Sequence, residues 1–140
     1  MTDLGTLDSS DPANFSEANA INDSGQVVGR SKNADGEVHA FLWQNGVMTD
    51  LGTLPGGPNV SQNDSNALSI NKTGTIVGYS SSANGTHPFV YKNGSWTDLG
   101  TLGGSSSGSL AYDVNDSDQV VGITQTPDQA FTAFFGSRAP

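Results

Sequence analysis

The chain has 140 residues, with 18 glycines, 14% charged side chains and a net charge of −9. Five basic residues leave no stripe to neutralise phosphates, which argues against nucleic acid and anionic membrane surfaces as partners. The lack of cysteine excludes a disulfide framework, thiol chemistry and cysteine-ligated zinc.

The length suits one domain, and no segment carries an apolar face at helical spacing over three turns. All-β structure is therefore predicted for residues 1–140. The first predicted element is a strand at residues 1–7, followed by a loop at Asp8–Asn14. Unit one, residues 15–54, begins with strands at Ala18–Asn22 and Gln26–Ser31 around an Asn-Asp-Ser-Gly turn. It continues with strands at Ala40–Gln44 and Val47–Leu51, which flank Asn45-Gly46, a strong short hairpin signal. The loop Pro55–Asp64 leads to unit two, residues 65–102, where Asn93-Gly94 repeats the hairpin signal. Unit three, residues 110–135, follows the loop Gly103–Gly108 and ends on a predicted strand at Ala130–Phe135. Gly29, Gly78 and Gly122 each follow the second strand of a unit, where a bulge or close backbone approach is expected.

The units are copies of one another. Thr2-Asp3-Leu4-Gly5-Thr6-Leu7 recurs from Thr49 and again from Thr97, in steps of 47 and 48 residues. Asn22-Asp23-Ser24-Gly25-Gln26-Val27-Val28-Gly29 has counterparts ending at Gly78 and Gly122. His39-Ala40-Phe41 has counterparts at His87-Pro88-Phe89 and, by pattern, Gln129-Ala130-Phe131. Four-stranded units of this length match propeller blades. The chain opens on a fourth strand and its last unit ends on a third, the phase by which propellers close a ring. Three blades fall short of a ring, so a homo-oligomer is expected, either a dimeric six-bladed ring or a filament. A β-trefoil monomer, also three units of four strands, is the alternative.

The blocks Ile21–Gly29, His39–Phe41 and Leu42–Leu54 resemble the HAF-repeat family of extracellular bacterial proteins, over nearly the whole chain. Pro88 departs from the motif's alanine in unit two, and Gln129 from its histidine in unit three. The resemblance implies an extracellular repeat scaffold, secreted or at the cell surface, whose signal peptide lies outside this chain. It implies no activity.

The candidate chemistry is repeated too. His39 and His87 occupy equivalent positions, which suggests a structural imidazole bonded to neighbouring backbone. Asp3, Asp50 and Asp98 recur between Thr and Leu, where a carboxylate accepts from a local turn. Asp113–Asp118 opens like a calcium loop, but Asp118 stands where glycine is expected and Thr124 where glutamate is expected. Gly104–Gly108 matches Gly-x-Ser-x-Gly inside a Gly/Ser linker with no strand-to-helix turn. Glu17 and Glu37 are the only glutamates and form no catalytic pair for glycoside hydrolysis. Trp43, Tyr91 and Trp96 are candidates for sugar stacking, with Trp96, in place of Met48, the least constrained by the repeat. Eight Asn-x-Ser/Thr sequons begin at Asn14, Asn22, Asn59, Asn63, Asn71, Asn84, Asn93 and Asn115. Those at Asn22, Asn71 and Asn115 belong to the repeated turn. No catalytic, cofactor or metal residue is assigned, so the chain is predicted to be no enzyme and to need no cofactor. The expectation is a non-catalytic extracellular scaffold or binding module that assembles by exchanging its first strand and presents loops to a glycan or protein. Alternatives are a lectin-like trefoil and a subunit of a fibre or surface layer.

Overall fold

The computed structural model describes residues 1–55, 63–103 and 108–137. All regular structure among them is β-strand, in three antiparallel sheets of four, four and three strands. Unit one forms β1 (Ser16–Ile21), β2 (Val27–Lys32), β3 (Val38–Gln44) and β4 (Val47–Gly52). Unit two forms β5 (Ser65–Ile70), β6 (Ile76–Ser82), β7 (Gly85–Lys92) and β8 (Ser95–Asp98). Unit three forms β9 (Leu110–Val114), β10 (Gln119–Gln125) and β11 (Phe131–Ser137). Each sheet is an up-and-down meander within one repeat, and strands pair only inside their own unit among the described residues.

Local chemistry explains the meander. Asn45 and Gly46 have φ of 52° and 84°, and Asn93 and Gly94 have 52° and 80°, the paired left-handed residues that a two-residue hairpin needs. At the other hairpin, Asn22 Oδ1 accepts from the N–H groups of Ser24 and Gln26, and Asn71 and Asn115 repeat this in their units. Gly29, Gly78 and Gly122 lie at the centres of β2, β6 and β10, against bulges in the first strand of each unit. A Cβ on any of them would run into a carbonyl oxygen there, that of Glu17, Asn66 or Leu110. The close approach expected at these glycines is present, but it lies within the second strand of each unit and not after it.

The third motif of unit three lies further along the chain than Gln129–Phe131. Gly29 pairs with Phe41 and Gly78 with Phe89, but Gly122 pairs with Phe134. Thr132-Ala133-Phe134 therefore stands in the place of His-Ala-Phe. Gln129 lies in the preceding turn, at φ 66°, and Phe131 is exposed at the start of the strand. The strand predicted at Ala130–Phe135 accordingly runs from Phe131 to Ser137.

The core lies between units. One cluster joins Val28, Ala40, Leu51 and Leu54 of unit one to Ala67, Ile70, Ile76 and Phe89 of unit two. A second joins Val77 and Val90 of unit two to Ala111, Val114 and Val120 of unit three. β5 packs on β1, β2 and β3, and β9 packs on β5, β6 and β7, so one joint is used twice. Residues 1–7 form no strand, though the segment sits like its later copies: Leu7 N–H donates to Ser31 Oγ as Leu54 N–H does to Ser80 Oγ.

Candidate functional site

The repeated polar residues build clips and joints. His39 Nδ1 lies 2.8 Å from Asp50, and His87 Nδ1 lies 2.8 Å from Asp98. In both units the third strand supplies the imidazole and the fourth supplies or adjoins the carboxylate. Each aspartate also accepts from an N–H two residues on, Gly52 or Gly100, at 2.7 Å. The turn role expected of the aspartates holds, and Asp3 accepts from Gly5 N–H in the same way at 2.9 Å. The histidines bond carboxylates, where backbone partners were expected.

The Asp50 hydrogen bond raises the His39 pKa against the opposing effect of burial. Burial pushes Asp50 upward, but His39 and the Gly52 N–H outweigh it and hold the carboxyl below its ordinary value. Nε2 of both rings is buried without a hydrogen bond. Glu37 stands 3.2 Å from His39 Nε2, close in charge but outside hydrogen-bonding geometry. Glu37 also accepts from Asn63, and Glu17 pairs with Arg30 at 2.9 Å, so the glutamates are engaged apart from one another.

A ladder of asparagines crosses the joints. Asn22 Nδ2 donates to the Asn71 carbonyl at 3.0 Å, and Asn71 Nδ2 to the Asn115 carbonyl at 2.9 Å. Asn19 adds bonds to Asn66 and Ala67 across the first joint. Asn71 Nδ2 also donates to Asp118, so a glycan on this sequon would displace bonds that tie two units together.

The calcium-like loop belongs to the same joint. Asp113 accepts from the Ser69 hydroxyl and Asp116 from the Lys72 N–H, while Asp118 takes Thr75, Asn71 and Lys92. These carboxylates reach into unit two, each to different partners. No group of three or more metal-ligating His, Cys, Asp or Glu side chains occurs among the described residues.

Asp118 sits at φ 58° where the other units have Gly25 and Gly74, so the chain accepts a left-handed aspartate to place this carboxylate. The Thr75 hydroxyl, with Asn71 and Lys92, pushes its pKa down to about 2 from 3.8. A depressed carboxyl stabilises the fold above its unfolded value, and the contribution disappears as pH falls through the folded one. Asp118→Asn, which tolerates the same backbone, is expected to lose about 1 kcal/mol at neutral pH, because solvent screens part of the interaction. The gap to the parent chain should close between pH 3.8 and about 2 in urea melts. A gap independent of pH would disprove the charged clamp.

The aromatic candidates divide between the joint and the surface beside it. Trp96 donates from its indole N–H to the Leu51 carbonyl at 3.2 Å. Its ring lies 4.5 Å from that of Phe89 and 5.4 Å from that of Tyr91. Trp96, the least constrained of the three by the repeat, is thus committed to the joint between units one and two, while Trp43 is half-buried on the other side of unit one.

At the far end lies an apolar groove of about 230 Å³, lined by residues including Pro88, Leu99, Leu102, Phe134 and Phe135. Its lining matches the seat of Trp96: Leu99 and Leu102 are the counterparts of Leu51 and Leu54, and Phe134 is that of Phe89. Among the described residues β11 pairs with β10 alone, so its other edge is open. The spacing from the β10 glycine could have located Phe134 from sequence, because the two paired phenylalanines lie at similar distances from Gly29 and Gly78. The Gly-x-Ser-x-Gly match at 104–108 and the sequon at Asn59 fall in or across residues outside those described, as does most of the Pro55–Asp64 loop. Among the described residues no helix is long and apolar enough to cross a membrane. Set against family models, curated proteins and solved structures, the chain matches none.

Proposed function

We propose that the chain is a non-catalytic repeat scaffold of propeller-type blades, working outside the cell as its HAF-like motifs imply. It assembles when the first residues of one copy complete the last unit of another. The observation that carries this reading is the open edge of β11 beside a groove shaped like the Trp96 seat. Met1–Leu4 repeats the matching fourth-strand sequence and already holds its Asp3–Gly5 turn bond. By the pairing of Phe89 with Asp98 and Tyr91 with Trp96, Asp3 would lie opposite Phe134 and Met1 opposite Gly136. The Met1 side chain then enters the groove. An open edge is a template for another strand, and an exchanged one satisfies it.

Three separate meanders favour blades over the trefoil, in which strands of different units pair in a common barrel. The lectin-like alternative loses weight because Trp96 packs inside a joint.

Light scattering on a sizing column tests the proposal. The 140-residue chain is expected as a compact dimer or a longer linear assembly, and a variant shortened by residues 1–4 as a monomer. A monomeric parent chain at high concentration would overturn the reading, as would unchanged assembly of the shortened variant.

A further inference from the structure

Strand exchange is one part of a larger contact. We infer that the leading face of unit three, around Val121 and Phe135, docks on the trailing face of unit one, around Ile21, of a second copy. The inference rests on the scaffold reading and adds a surface to it.

Several apolar residues break the rule of burial. Ile21 is 68% exposed, whereas its counterpart Ile70 is 7% exposed inside the first joint. Val121 is 47% exposed, whereas Val77 is buried completely at the second joint. Phe135 is 67% exposed, whereas Val90 is 1% exposed. Strand registers establish these equivalences: Ile21 faces Val27 as Ile70 faces Ile76, and Val121 faces Asp113 as Val77 faces Ser69. Each exposed side chain is thus of the kind, and at the place, that the chain buries when another unit is adjacent. Scattered apolar residues need no explanation, but a set that reproduces both halves of an existing joint does.

The polar half matches as well. Asn22 donates to unit two and Asn71 to unit three, while among the described residues Asn115 Nδ2 reaches only Gln119 of its own turn. Its counterpart partner is the carbonyl of Asn22 in the next copy. The contact is head-to-tail, leading face to trailing face, so two copies close a ring only if the angle allows and otherwise continue as a filament. One position opposes it. Lys72 stands beside Asp116 within the chain, at 3.8 Å, but Asp116 would meet Asp23 between copies. Salt should therefore strengthen the contact by screening that pair.

The test uses Ile21→Glu and Val121→Glu in the full chain at high ionic strength. Both side chains are exposed in the single chain, so the β-sheet circular dichroism spectrum should hold; Ile21→Ser and Val121→Ser serve if a glutamate disturbs its strand. Each variant alone is expected to show at least a tenfold rise in the dissociation constant for assembly. Mixed, the two should partly recover, because the intact leading face of the first fits the intact trailing face of the second. Variants that assemble like the parent, while the chain lacking residues 1–4 is monomeric, would overturn this contact and leave strand exchange standing. Loss without recovery on mixing would overturn the head-to-tail arrangement. A parent chain that stays monomeric would overturn both proposals.

Discussion

Gly78→Ala is expected to destabilise the chain by about 3 kcal/mol or more. Gly78 lies in the middle of β6, between Ala67 of β5 and Phe89 of β7. A methyl group there would meet the Asn66 carbonyl oxygen and come within 3.0 Å of the Ala67 Cα. The obstacles are backbone atoms on a strand held by packing from unit one, so they give way only if β5 separates from β6. Gly136→Ala is the control, because its nearest neighbour is a ring carbon of Phe134 at 3.9 Å. Urea denaturation should show a large drop in midpoint for the first and a change within about 0.5 kcal/mol for the second. Similar small shifts in both would mean that the bulge is soft.

Phe89→Ala should cost about 3–5 kcal/mol. Phe89 is fully buried, touches the Trp96 ring and belongs to the cluster that includes Leu51 and Leu54 of unit one. Its removal leaves a cavity in the cluster that joins units one and two. Such a loss approaches the whole stability of a modest domain. Phe131→Ala, at an exposed position, should change stability by about 0.5 kcal/mol or less. Denaturation followed by tryptophan fluorescence separates the two, since Trp96 reports the joint directly. A small effect at Phe89 would mean that the units hold together by their polar ladder.

The hairpins and the central glycines were legible because their causes are local. Asn-Gly needs two left-handed residues wherever it occurs, and a glycine flanked by β-branched residues marks a crowded backbone. The third motif misled because Gln129-Ala130-Phe131 resembles the pattern in letters, while register is set by pairing across a hairpin whose length varies. Counting from Gly122 leads to Phe134, which is the measure the sheet uses. The histidine–aspartate clip escaped for another reason. Each residue had a sufficient local explanation, and only their constant separation of 11 residues links them. The asparagine ladder was invisible in principle, because each side chain satisfies its own turn with one end and the next unit with the other. The seat of Trp96 likewise depends on how two sheets stack, which no single repeat specifies.

Packing that passes from each unit to the next makes the chain a short one-dimensional array. In such an array stability divides into a term for each unit and a term for each boundary. Unit two is flanked by two boundaries and the outer units by one each within the chain, so protection from local opening should be greatest in the middle and fall towards both ends. A second copy docked at either end, as proposed, would convert an outer unit into an interior one. In the proposed assembly, association and folding would be the same process counted at different boundaries, and each further unit would raise the cooperativity of those already in place.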